Sequence, residues 1–122
     1  MNILTHFEIP SNNLEKTKEF YSKLFNWEFN FIEEMGYMMF SIPASEKPTP
    51  MGGGLVKYED GNNRIVNYIT VENIDSDGEK IVELGGEIIV PKTPVPGMGW
   101  FIHFSDLDGN VMAIWQNDKA AK

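Results

Sequence analysis

The stretch Gly99–Val111 reads GWFIHFSDLDGNV and predicts a strand that runs into a tight turn. Trp100–Ser105 is rich in aromatic and β-branched residues, which favour an extended backbone. Asp106–Asn110 is typical of a turn, because Asp and Asn side chains bond their own backbone and Gly109 accepts a positive φ. Val111–Gln116 predicts a second strand and offers no carboxylate for a calcium loop. The turn therefore joins two neighbouring strands.

Outward from this turn, one order of elements occurs twice along the chain: strand, helix and three strands. The predicted strands of the first half are Leu4–Ile9, Trp27–Ile32, Tyr37–Ile42 and Leu55–Tyr58, with a helix that begins at the polar cap Asn12. The second half has a helix near Ser76–Leu84 and strands at Ile65–Val71, Glu87–Val90, Trp100–Ser105 and Val111–Gln116. Asp60–Asn63 is the predicted joint between the halves.

This organisation predicts one domain over residues 1–122, with module one at about 1–60 and module two at about 63–117. Pro91–Gly99 contains three prolines and two glycines. Such a segment is typical of a connection between strands, and we favour an ordinary hairpin over a lid that closes on a ligand.

The composition is that of a folded protein with few classes of partner. With 42% hydrophobic residues the chain has the apolar content of a packed core. The formal net charge of −8 repels phosphate backbones and anionic lipid, so we expect no nucleic-acid or membrane partner. No apolar stretch is long enough to span a bilayer, and the first residues lack a leader pattern, which indicates a cytoplasmic protein. Without cysteine, a metal would need His, Asp or Glu.

Two stretches resemble a known family. His6–Pro10, followed by Phe20-Tyr21 and Leu24–Trp27, is similar to the opening strand and helix of the glyoxalase, bleomycin-resistance and extradiol-dioxygenase (vicinal oxygen chelate) superfamily. Gly99–Val111 is similar to that family's penultimate strand, turn and last strand, with Leu107 in place of a proline. The resemblance implies an α+β fold, in which two βαβββ modules form a cupped, barrel-like mixed sheet with helices on the outside. It also implies a homodimer.

The resemblance further implies metal ligands, which this sequence mostly lacks. Metal-dependent members place a His on the first strand of each half and a carboxylate on the last strand. His6 matches the first of these positions, but the corresponding strand of the second half offers Val66, Tyr68 and Thr70. Ala113 stands where the last strand should carry its carboxylate, and Gly52–Tyr58 contains no Asp or Glu. We therefore expect no cofactor.

A rearranged metal site is the alternative. His103 alternates with Phe101 and Ser105, and it could face inward with His6 and Glu8. Two histidines and one glutamate would suit zinc or iron with open coordination positions. A divalent metal held in this way is disfavoured against the metal-free interpretation, because only two histidines exist in the chain.

A metal-free cup would suit an organic ligand. Its predicted lining is mostly apolar with a few polar groups, the usual composition of a small-molecule site: Met39, Tyr68, Thr70, Phe101, His103 and Trp115. His6 and Glu8 are the candidate catalytic pair, an imidazole beside a carboxylate that could move a proton on a bound carbonyl compound. Structural packing of the same residues is the competing interpretation.

Three functions are consistent with these residues. The first is a metal-independent protein that binds a small molecule, similar to the bleomycin-resistance branch. The second is an enzyme of the lactoylglutathione-lyase-like or related isomerase type, which uses the rearranged metal site or the acid–base pair His6 and Glu8. The third is a dimeric interaction module without a ligand. The sequence names no substrate.

Overall fold

The computed structural model describes residues 2–42, 52–57 and 64–122. Its chain divides into two units, which we call module one (Thr5–Val66) and module two (Asn67–Lys122, with Met1–Leu4). The predicted joint Asp60–Asn63 lies outside the described residues. The single domain stays a prediction.

Module one contains one helix and a four-stranded sheet. Its elements are β1 (Ile3–Ser11), α1 (Leu14–Leu24), β2 (Glu28–Ile32), a short 3-10 helix (Glu33–Met35), β3 (Tyr37–Ser41) and β4 (Gly52–Lys57). The strand order is β2-β3-β4-β1, with β4 antiparallel to β3 and parallel to β1. The middle strand β4 therefore separates β1 from β3.

The start of α1 differs from the prediction in two ways. The strand β1 continues through Pro10 and Ser11, which were expected to break it. Proline keeps a φ angle that a strand accepts, and the buried Ser11 is held by a hydrogen bond of 2.7 Å to the Thr17 hydroxyl. The helix cap is Asn13 and not Asn12, since the Asn13 side chain accepts a hydrogen bond from the Lys16 backbone N–H.

The core of module one is aromatic. Its buried residues are Met38, Phe40 and Leu55, and Phe7, Ile9, Leu14, Trp27 and Phe29 pack against them. Leu14 belongs to α1, so Phe7 and Ile9 lie on the face of the sheet that the helix covers. Alternation along β1 then places His6 and Glu8 on the opposite face. The rest of the helix is poorly covered, since its apolar residues Phe20 and Leu24 are exposed.

Module two repeats this order with an aliphatic core. Its elements are β5 (Val66–Thr70), α2 (Ile74–Glu83), β6 (Glu87–Val95), β7 (Gly99–Ser105) and β8 (Val111–Asn117). The strand order is β5-β8-β7-β6, with β8 parallel to β5 and antiparallel to β7. Its buried residues are Val71, Ile74, Ile102 and Ile114. The strand β8 therefore lies between β5 and β7, just as β4 lies between β1 and β3 in module one.

The segment Pro91–Gly99 forms an ordinary hairpin, as favoured. The strand β6 extends to Val95, well beyond the predicted Val90, and Gly97 with a φ of 76° turns the chain into β7. An edge strand tolerates proline because its outer N–H groups need no ladder partner, and a shift of register between Val90 and Thr93 accompanies Pro91. The α+β class and the two βαβββ modules are confirmed. Within the described residues, no helix combines the length and the apolar character that a membrane span requires.

Candidate functional site

Module one carries a chain of three polar side chains on the sheet face opposite its helix. The Nε2 atom of His6 lies 2.7 Å from the Tyr37 hydroxyl, and that hydroxyl donates to Oε2 of Glu8 at 3.0 Å. A tyrosine hydroxyl has one hydrogen, so the His6 contact requires a hydrogen on Nε2. The sequence predicts that His6 and Glu8 form a pair, and in the structure the Tyr37 hydroxyl links the two side chains.

Gly54 makes room for this chain. In the register of the sheet, Gly54 lies opposite Glu8 on one side and Met39 on the other. A Cβ atom at Gly54 would overlap the ring of Tyr37. The absence of a side chain on β4 therefore allows a tyrosine on β3 to reach β1. Met39, predicted to line a pocket, belongs to the same cross-strand row as Glu8.

Module two carries a second histidine–tyrosine contact, also opposite its helix. The Tyr68 hydroxyl lies 2.8 Å from Nε2 of His103, with the two rings edge to face at 5.5 Å between centroids. Ala113 lies between them in the register, paired with Tyr68 on one side and His103 on the other. Its small, fully buried side chain leaves space for the two rings to meet above it.

The remaining predicted pocket residues form the neighbouring row of module two. Trp115 pairs with Thr70 on β5 and with Phe101 on β7. By alternation these three side chains share the face of Tyr68 and His103, opposite Ile102 and Ile114 in the core. The structure thus brings together five of the six predicted ligand-binding residues within one module, while the sixth, Met39, belongs to module one. Their roles stay predictions.

Burial sets the charge of both histidines. Desolvation lowers the pKa of His6 below its ordinary value, and it lowers the pKa of His103 in the same direction. Both imidazoles are therefore neutral at neutral pH. A neutral imidazole has one nitrogen that donates and one that accepts. In module one the hydrogen on Nε2 leaves Nδ1 of His6 as an acceptor, whereas in module two the direction of the bond between Tyr68 and His103 depends on the tautomer of His103.

The side chains present do not fit the metal site that the resemblance implies. In module one, His6 pairs with Gly52 on the last strand, which offers no ligand atom. In module two, the matching positions are Tyr68 and Ala113. Across residues 2–42, 52–57 and 64–122, no group of three or more His, Asp or Glu side chains is placed to hold a metal ion. The rearranged set of His6, Glu8 and His103 stays a prediction.

Sequence reasoning missed Tyr37. A signal for it existed, because Tyr37 lies two residues before Met39 and a strand repeats its face every two residues. The sequence also gave no indication of a surface cavity in module two, which we call the hairpin cavity. It has a volume of about 480 Å³ and is lined by Gly97, Met98, Trp115, Asn117, Asp118 and Lys119.

The fold and these two polar constellations define an α+β protein of two βαβββ modules with a histidine–tyrosine pair in each. Residues 3–114 match the model of the Glyoxalase/Bleomycin resistance protein/Dioxygenase superfamily. The chain belongs to this superfamily, which confirms the resemblance carried by its two terminal stretches.

Known proteins resemble the chain at low identity. It is 21% identical to "Putative glyoxylase CFP32" of Mycobacterium bovis, over 92% of this chain and 44% of that protein. The chain thus spans less than half the length of the curated relatives it matches. A solved methylmalonyl-CoA epimerase in complex with methylmalonyl-CoA and NH4+ has a TM-score of 0.71 at 17% identity, covering 100% of this chain and 99% of that one.

A superfamily member from Vibrio splendidus is also similar, with a TM-score of 0.69 at 10% identity over 96% of this chain and 100% of that one. Likeness at such identities shows the fold alone.

Proposed function

We propose that this protein binds a small organic molecule without a resident metal ion, on the face of module two that carries Tyr68, Thr70, Phe101, His103 and Trp115. The observation that carries the proposal is the hydrogen-bonded pair of Tyr68 and His103 among aromatic rings. A mostly apolar surface with a few fixed polar groups is the usual make-up of a small-molecule site.

The polar pair suits a ligand that carries a carbonyl or hydroxyl group. Burial keeps His103 neutral, so binding such a group does not require a charged partner. The aromatic rings of Phe101 and Trp115 add apolar area one row further along the sheet. Support also comes from a structural neighbour, since the epimerase similar to this chain was solved in complex with methylmalonyl-CoA.

A thermal-shift screen tests this proposal. The protein, purified without chelator, is melted with thioesters, small carbonyl compounds and aromatic antibiotics, because a ligand selective for the folded state raises the melting temperature. We expect one of these classes to stabilise the wild type, and His103→Leu to abolish the shift. The matched variant His6→Leu in module one should retain it. No shift with any class, or stoichiometric zinc, nickel, manganese or iron by metal analysis, would overturn the proposal.

An isomerase-type or lyase-type activity is the second candidate, favoured by the chain His6–Tyr37–Glu8. In this candidate His6 or Glu8 removes a proton from the carbon next to a carbonyl group of the substrate and then returns it. The substrate neither gains nor loses atoms in this step. Exchange of that hydrogen for deuterium in heavy water, followed by NMR on a stabilising ligand, measures it. His6→Ala and Glu8→Ala should each slow the exchange by about 100-fold or more. Unchanged exchange in both variants would exclude this role.

The homodimer and the cytoplasmic location stay predictions. Exposed Phe20, Leu24 and Phe25 on and after α1 give module one an apolar surface that a second subunit could cover. Light scattering on the purified protein measures the mass directly, and a monomer at all concentrations would contradict the dimer.

A further inference from the structure

The hairpin cavity of module two has fixed walls. The backbone N–H of Asp118 donates to the Met98 carbonyl at 2.9 Å, and the N–H of Gly97 donates to the Ala121 carbonyl at 2.9 Å. These bonds hold the segment after β8 against the turn between β6 and β7. The resulting groove is open to solvent and has a volume of about 480 Å³, which is enough space for a ring of a small molecule.

The indole of Trp115 forms a rigid part of this cavity. Its ring lies over Gly99, where a Cβ atom would collide with it. Its Nε1–H donates to Oδ1 of Asn117 at 2.9 Å, which fixes the ring at its polar edge. With the Met98 side chain in the same lining, the cavity offers a surface against which a flat apolar ring can pack.

The hydrogen-bonding groups around the cavity are unequally used. An indole N–H only donates, so Asn117 must present its oxygen to Trp115 and its amide N–H₂ elsewhere. The Asp118 carboxylate accepts from Nε1 of Trp100 and from the Ala120 backbone N–H, both at 2.9 Å. The acceptors are therefore engaged. In the part of the chain that the structure describes, neither the Asn117 amide N–H₂ nor the Lys119 ammonium has a hydrogen bond or ion pair, so the donors remain for a ligand.

We propose that the hairpin cavity binds a flat aromatic ring that carries a neutral carbonyl group, with the ring against Trp115 and the carbonyl oxygen accepting from the Asn117 amide. A neutral group is favoured over a carboxylate, because the anionic Asp118 offsets the Lys119 ammonium in the lining and the whole chain has a net charge of −8. This inference rests on the proposed function, since Trp115 belongs to both surfaces. It adds to that ligand an aromatic ring with a carbonyl group of its own, which contacts Asn117.

NMR titration with acetophenone tests this inference, and ethylbenzene and benzoate are the matched controls. Ethylbenzene has a similar shape without the acceptor, and benzoate adds a charge. We expect acetophenone to shift the indole N–H signal of Trp115 and the backbone signals of Gly97 and Met98. A signal missing from the spectrum of Trp115→Phe identifies that indole. Ethylbenzene and benzoate should each bind about ten-fold more weakly, through the lost hydrogen bond and through repulsion respectively.

The variant Asn117→Asp separates recognition from folding. A carboxylate oxygen still accepts from the Trp115 indole, whereas the N–H₂ donor is lost. We expect the melting temperature to be kept and acetophenone binding to weaken by about ten-fold. Unchanged binding in Asn117→Asp, or equal binding of ethylbenzene, would overturn the proposed recognition. NMR shifts confined to Tyr68 and His103 would exclude the hairpin cavity and leave the proposed function standing. If NMR signals shift at neither place and no ligand raises the melting temperature, both the inference and the proposed function are excluded.

Discussion

Both modules bring a histidine and a tyrosine together, but on exchanged strands. In module one the histidine is on the first strand and the tyrosine on the third, as His6 and Tyr37. In module two Tyr68 is on the first strand and His103 on the third. In each module the last strand of the chain order, β4 or β8, lies between the strand of the histidine and the strand of the tyrosine. Either arrangement therefore needs a small residue on that last strand, which Gly54 and Ala113 supply.

The modules differ in the residue that lies two positions after the histidine or tyrosine of the first strand. Glu8 follows His6 on the same face of β1, whereas Thr70 follows Tyr68 on β5. In module one the tyrosine hydroxyl consequently donates to a carboxylate, whereas in module two it bonds to a neutral imidazole across Ala113. The comparison shows that similar geometry supports two chemistries. A chain that ends on a carboxylate suits proton transfer, and a neutral pair suits the binding of a polar group.

The largest expected difference between the modules is in their cores. Leu55 and Ile74 are both fully buried. Leu55→Ala should lower the free energy of unfolding by about 4–5 kcal/mol, because the aromatic rings around it are stiff and leave the cavity open. Ile74→Ala, among aliphatic side chains that rearrange more easily, should cost about 2–3 kcal/mol. Urea denaturation measures both. A larger loss in Ile74→Ala would show that the aromatic core adapts better than its rigidity indicates.

Local patterns predicted much of this comparison from the sequence. The order of elements follows from hydrophobic periodicity, and alternation placed His6 and Glu8 on one face of the first strand, as the structure has it. Strand limits were less accurate at Pro10 and at Pro91. Proline is a breaker by local chemistry, whereas an extended backbone at either position depends on strand pairing that the sequence does not display.

The partners within the site were harder to predict. The contact between Tyr37 and His6 joins residues 31 positions apart and depends on Gly54, on a third strand. Register between distant strands is a tertiary property, so no local pattern fixes it. The hairpin cavity was missed for the same reason, since the segment after Asn117 forms its wall only by bonding to the turn at Gly97 and Met98.

The second expected difference is in the tyrosine hydroxyls. Tyr37→Phe removes a hydrogen bond to a carboxylate and one to His6, and it should cost about 2–3 kcal/mol of unfolding free energy. Tyr68→Phe removes the hydrogen bond with the neutral His103 imidazole, a loss that should cost about 1 kcal/mol. Both substitutions keep the ring, so packing is preserved. Equal losses, measured by urea denaturation at neutral pH, would mean that Glu8 adds nothing to the chain in module one.

The smallest expected difference is in the response to acid. Burial lowers the pKa of His6 and of His103, so as the pH falls below the ordinary value of 6.5 the unfolded state takes up protons first. Stability is therefore complete above 6.5 and decreases below it, which is the sign for a histidine with a lowered pKa. Melting temperatures at about pH 7.5 and about pH 5.5 measure this loss.

The comparison between the modules predicts how the loss of stability in acid divides between His6 and His103. We expect the Glu8 carboxylate, at the other side of the Tyr37 hydroxyl, to attract a proton on His6, whereas the row of His103 on β7 and β8 contains Ala113. His103→Gln should therefore reduce the pH dependence of the melting temperature more than His6→Gln does. The carboxylates contribute to the pH dependence equally in both variants. If His6→Gln removes the larger part, the desolvation of His6 outweighs the attraction of Glu8, and the chain in module one is a structural contact instead of a route for a proton.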